Sequence, residues 1–166
     1  MQPTRRRTWA PRGQTPIHKC WERHERLSVC GALTCSPQRQ RLGFYFHLHS
    51  HNIRTPALLA FLRLLQRHLR RPLIFVLDRW SVHLAAVARL LAKRPPWLVA
   101  VAWLPAYAPE LNPVEQVWNH TKYKELANYL PDHLEALHEA VGFSLASQRF
   151  QQTRLRSCFG YAKLKL

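Results

Sequence analysis

Two short apolar runs flank a segment of helical period, and that arrangement constrains the fold of this chain more than any other feature. Leu73-Ile-Phe-Val-Leu77 and Trp97-Leu-Val-Ala-Val-Ala-Trp-Leu104 are continuous apolar stretches of strand length. Such runs are expected of strands buried on both faces, a property of parallel sheets covered by helices. Between them, Ser81–Lys93 places Leu84, Val87, Leu90 and Leu91 at helical spacing, and Pro95-Pro96 stops it. Strand, helix and strand in that order form a crossover unit, the connection that parallel strands require.

The flanking segments extend this pattern. Residues 1–25 carry Arg, Pro and Trp with little periodicity and read as an irregular basic entry segment. Residues 26–35 and 42–48 form two strand-length runs around the polar turn Ser36-Pro-Gln-Arg-Gln-Arg41, which predicts an antiparallel hairpin. Thr55-Pro56 then starts a helix, with Thr55 as N-cap, that runs to about Arg70 and is ended by Pro72. Further helices are expected from Asn112 to about Asn128 and over Pro131–Ser147. The order β-β-α-β-α-β-α-α predicts an α/β chain with helical crossovers. At 166 residues, without internal repeats, it reads as a single domain.

Lys and Arg number 25 against nine Asp and Glu, a formal net charge of +16. That balance favours a polyanionic partner, nucleic acid foremost. The four cysteines show no disulfide framework, the start is basic with no apolar run behind it, and no stretch has the length of a membrane span. A reducing cytoplasm is the expected setting, with no membrane partner.

The acids are few: Glu22, Glu25, Asp78, Glu110, Glu115, Glu125, Asp132, Glu135 and Glu139. Asp78 stands at the exit of the first apolar strand, where α/β sheets present ligands and catalytic groups. It could equally cap the helix that starts at Ser81. Glu115 stands at the start of the helix after the second strand. There Asn112-Pro-Val-Glu115 also fits a capping box, in which the glutamate would return to the Asn112 backbone. Two carboxylates so placed can hold a divalent metal for phosphodiester chemistry, in which about 4 Å between two ions is typical.

The stretch Leu104-Pro-Ala-Tyr-Ala-Pro-Glu-Leu-Asn-Pro-Val-Glu115-Gln-Val-Trp118 resembles the transposase and endonuclease family that uses an Asp-Asp-Glu triad, and within it the insertion sequence 630 branch. The resemblance implies a ribonuclease-H-like mixed sheet with flanking helices. Asp78 would be the second acid and Glu115 the third, sharing Mg²⁺ or Mn²⁺. His83 matches a histidine that lies beside the site in that family. That fold has three antiparallel strands before its first helix, and only two are legible here. Arg7–Pro16 resembles the link between the family's first two strands, so the strand bearing the first acid is expected to be missing, leaving a truncated catalytic domain.

The resemblance further implies cleavage and strand transfer at transposon ends, with DNA as partner and self-association or mixed oligomers with an intact transposase. A chain that only binds DNA, without turnover, is the rival expectation. Arg5, Arg6, Arg7, Arg39, Arg41 and, on the Glu115 helix, Lys122 are the candidate phosphate contacts. Lys124 is expected to point away from Glu115. His47, His49 and His51 alternate along a strand at about 7 Å intervals, too wide for one ion. The Cys and His residues near the start lack zinc spacing.

Overall fold

The computed structural model describes Arg7, residues 9–14 and residues 26–164. Strands β1 (Ser28–Cys35) and β2 (Leu42–His49) are followed by α1 (Thr55–Leu69), β3 (Leu73–Leu77), α2 (Ser81–Lys93) and β4 (Leu98–Trp103). After these come α3 (Pro113–His120), α4 (Leu134–Arg149) and α5 (Gln152–Tyr161). The first two strands form the expected antiparallel hairpin, pairing Ser28 with His49 through Cys35 with Leu42. Its turn is held by Ser36, whose N–H donates to Arg41 O at 2.9 Å and whose hydroxyl accepts from Arg41 N at 3.1 Å. Arg39 completes the turn in the left-handed region, φ 58°.

β3 and β4 pair in parallel, Phe75 opposite Val101 and Leu77 opposite Trp103. The α/β class holds, but the four strands form two separate pairs rather than one mixed sheet. What joins the pairs is α1. Its Leu58, Leu59, Phe61 and Leu62 share one core with Cys30 and Ala32 of the hairpin and with Phe75 of the parallel pair. The opposite face of the hairpin belongs to a second core, in which Phe44 and Leu42 pack with Val117 of α3, Val141 and Leu145 of α4, and Leu155 of α5. Phe44 is fully buried, so Phe44→Ala is expected to cost about 3–5 kcal/mol through lost transfer energy and the cavity left behind.

One expectation fails here. The apolar strands were read as buried on both faces, yet only the side facing α1 and α2 is covered. Phe75 is 7% exposed, while Ile74, Val76 and Val99 are 63%, 57% and 62% exposed. Helices α3, α4 and α5 pack on the hairpin and leave this face of the parallel pair open.

Helix ends depart from expectation in smaller ways. The cap position of α1 is Arg54, with Pro56 in the first turn and no side-chain cap, so Thr55 lies inside the helix. The single helix expected from Asn112 to Asn128 is α3 followed by a π-helical turn, Thr121–Glu125. That turn surrounds a buried polar group. Thr121 Oγ1 lies 2.8 Å from Ser144 Oγ and accepts from Gln148 Nε2 at 2.8 Å. With Thr121 fixed on α4, Leu126 N reaches back five residues to Thr121 O at 2.9 Å.

Helix α5 was not anticipated. Its buried residues Leu155, Cys158 and Phe159 stand at i, i+3 and i+4, a short periodic signal set among polar neighbours. Gln152 joins it to the hairpin. Its Oε1 accepts from Leu42 N at 3.2 Å and its Nε2 donates to Leu42 O at 2.8 Å, pairing with that residue as a neighbouring strand would.

Candidate active site

The parallel pair delivers two loops to one edge. Leu104 N donates to Leu77 O at 2.8 Å, prolonging the ladder to the residue before Asp78. Asp78 and the loop from Leu104 to Asn112 therefore leave the strands side by side, at their carboxyl ends.

Asp78 does not cap α2. Its Oδ1 accepts from Trp80 N at 3.0 Å, closing a tight local turn, and from His83 Nδ1 at 2.6 Å. A carboxylate can only accept at neutral pH, so the His83 proton resides on Nδ1. Both bonds fall on Oδ1. The Asp78 side chain is 42% exposed and His83 19%. The Trp80 ring meets the His83 ring edge-on, centroids 5.3 Å apart, and limits its rotation.

Glu115 enters from α3. Asn112 caps that helix, its Oδ1 accepting from Val114 N at 3.3 Å. The Asn112 N–H is already given to Pro109 O at 3.0 Å, within a 3-10 turn over Pro109–Leu111. The glutamate therefore has no N–H to close a capping box, and its carboxylate is not spent on the cap. Burial raises the Glu115 pKa above its ordinary value; the Lys122 charge opposes this, and the Asp78 carboxylate adds to it. Glu115 thus feels both the Asp78 and the Lys122 charges. Lys124, in the π-helical turn, acts on His120.

Helix α3 is seated on β1 through a close approach. A Cβ at Gly31 would fall 2.4 Å from Trp118 Cη2 and 2.8 Å from Trp118 Cζ2. Only glycine leaves room for the indole, and Trp118 sits three residues beyond Glu115 on the same helix.

The remaining candidates are dispersed. Arg39 and Arg41 lie exposed at the hairpin turn, and Arg7 is exposed; Arg5 and Arg6 fall outside the described residues. Glu110 is exposed in the 3-10 turn, while Glu125 pairs with His120 at 3.0 Å and Glu135 with His133 at 3.4 Å. Glu22 and Glu25 lie outside the described residues. His47 and His49 bring their ring centroids to 4.5 Å, closer than strand spacing suggested, and His51 stands beyond the end of β2. His49 is not a fully exposed edge residue, since its Nε2 is buried. Among the described residues no three or more His, Cys, Asp or Glu side chains form a metal-holding group. None of their helices is long and apolar enough to cross a membrane.

No curated protein matches the sequence. A chain of the crystal structure of the Mos1 strand transfer complex shares the fold, with a TM-score of 0.62 at 20% identity. The match covers 97% of this chain and 48% of that one, so the present chain spans about half its length. A family profile described as DDE superfamily endonuclease matches residues 1–138, a span that includes Asp78, His83 and Glu115. With most of its length matched by that profile, the chain belongs to the DDE superfamily endonucleases.

Proposed function

We propose that this chain carries part of a transposase catalytic domain, acting in metal-dependent cleavage of DNA and transfer of the cut strand at transposon ends. The observation that supports it most is the placement of Asp78 directly after β3 and of Glu115 in the first turn of α3, the helix that follows β4, with the Asp78 charge helping to raise the Glu115 pKa. The insertion sequence 630 branch is the closest reading of the Leu104–Trp118 wording. The similarity to a chain from a strand transfer complex supports DNA as the partner.

The donor set suits Mg²⁺ or Mn²⁺. Hard carboxylate oxygens are the ligands these ions prefer, and Mg²⁺ commonly takes one or two carboxylates and keeps several waters. Asp78 Oδ2 and the Glu115 carboxylate would hold the ion. When bound it would polarise the phosphodiester and lower the pKa of an attacking hydroxyl. His83 would hold Asp78 in place, and Lys122 would offset negative charge beside Glu115. A two-ion site needs a bridging carboxylate, which would come from outside the described residues. Arg39, Arg41 and Arg7 would contact the DNA backbone without reading sequence.

A second reading has its own support. Among the described residues no third acid, His or Cys completes a metal-holding group with these two, and a chain with that site alone would bind DNA, or an intact transposase, without turnover. One assay separates the two. Supercoiled plasmid is incubated with the full chain in Mn²⁺, alongside Asp78→Asn and Glu115→Gln. Nicking that needs the ion and both acids supports the enzyme. Salt-dependent binding that survives both substitutions, with no nicking at any metal concentration, supports the binding chain.

A further inference from the structure

We propose that Arg154, on α5, is a positioning residue for Glu115, acting as a clamp on the backbone of α3. This deepens the metal-site reading above and rests on it. Arg154 Nη2 donates to Gln116 O at 3.0 Å, the carbonyl next to Glu115 in the chain. Helix α3 is eight residues long and passes directly into the π-helical turn. A helix that short has little stability of its own, so its orientation depends on what it packs against.

The clamp has a fixed base. Gln152 pairs with both backbone groups of Leu42, and Leu155 and Cys158 are buried in the same core as Val117 of α3. A connected path therefore runs from β2 through Gln152 and α5 to Arg154 and α3. The guanidinium is wedged in place, with its Nε buried and without a partner among the described residues. Its charge helps lower the pKa of His120, the last residue of α3. It is not among the charges that act on Glu115, which are those of Lys122 and Asp78. Arg154 thus reaches Glu115 through backbone geometry rather than charge. The family match ends at residue 138, so α5 lies beyond it.

The test is Mn²⁺ binding by the full chain, followed by electron paramagnetic resonance, with thermal unfolding measured alongside. Losing a group that holds a metal ligand in place commonly costs about 10–100-fold in affinity. R154M is expected to weaken Mn²⁺ binding about tenfold, and R154K, which keeps a donor for the same carbonyl, to recover affinity to within about threefold. Arg156, exposed on the same helix, supplies the charge control, and R156M is expected to bind Mn²⁺ as the wild type does.

An R154M that loses thermal stability while keeping its Mn²⁺ affinity overturns the proposal, as does an equal loss in R156M. Should R154M fail to fold, Arg154→Gln takes its place with the same expectation. If the wild type shows no Mn²⁺ binding that Asp78→Asn removes, the metal reading itself falls. Hydrogen exchange of the α3 amides then decides the clamp: faster exchange in R154M sustains it, and unchanged exchange ends it.

Discussion

His83 Nδ1 stands 2.6 Å from Asp78 Oδ1, so the histidine is committed to orienting a carboxylate. Its proton sits on the nitrogen facing Asp78, and the Trp80 ring against it limits rotation. Replacing His83 with Ala should leave Asp78 free to turn and cut Mn²⁺ affinity by about 10–100-fold. Asn at the same position can still donate, and should lose less. Titration of Mn²⁺ into the three proteins is the check, and equal affinity in all would show that the pair is ornamental.

Glu115 gives a prediction with a definite pH sign. Its carboxyl is held above the ordinary value of 4.5, chiefly by burial, so the folded chain holds this proton more tightly than the unfolded chain does. Ionisation then costs stability, and the cost grows as pH rises from 4.5 until the folded group has fully ionised. Glu115→Gln is neutral throughout. Its thermal midpoint should exceed the wild type's by about 1–3 °C at pH 7, with the gap closing toward pH 4. The same substitution should abolish metal-dependent nicking, so stability and activity would move in opposite directions. A gap of constant size across that pH range would rule out the carboxyl as its source.

Gly31→Ala tests the seat of α3. The added methyl would meet the Trp118 indole at 2.4 Å, and that ring is already packed edge-on against Phe44. Overpacking of this kind costs about 1–3 kcal/mol. Urea unfolding should register the loss with the slope unchanged, and Trp118→Phe in the same chain should restore part of it by making room. A fully stable Gly31→Ala would mean that the indole moves aside freely.

The open face of the parallel pair should govern solubility. Ile74 and Val76 project from β3 on the side away from α1 and α2, with Val99 exposed on β4. Ile74→Thr with Val76→Thr keeps β-branched residues in the strand, so stability should shift by no more than about 0.5 kcal/mol. Light scattering at raised concentration should show less self-association than in the wild type. A large fall in thermal midpoint would show instead that the face is covered in solution.

The sequence carried the crossover unit well, because Leu73–Leu77 and Ser81–Lys93 declare their periods without help from the rest of the chain. The placement of Asp78 just after a strand and of Glu115 at the start of a helix was legible for the same reason. Other features were not legible. The apolar character of Ile74 and Val76 says nothing of whether a neighbour covers them, since that depends on where distant helices settle. The break at Thr121 was hidden because it arises from hydroxyl and amide partners on α4, more than twenty residues away. Likewise, no local pattern distinguishes the Gln152 that pairs with Leu42 from any exposed glutamine, and the freedom of Glu115 from its capping box depended on the Pro109 carbonyl reaching Asn112 first.

Gln152 also bears on how the chain comes to be folded during synthesis. Its two bonds to Leu42 span 110 residues. At about 5–20 residues per second, a ribosome needs roughly 6–20 s to travel from one to the other. Throughout that interval the newly made hairpin waits with one strand end unsatisfied, and until α3 and α4 are made its inner aromatic face is uncovered too, a period in which a chaperone, or another nascent copy, has its best chance of reaching it first.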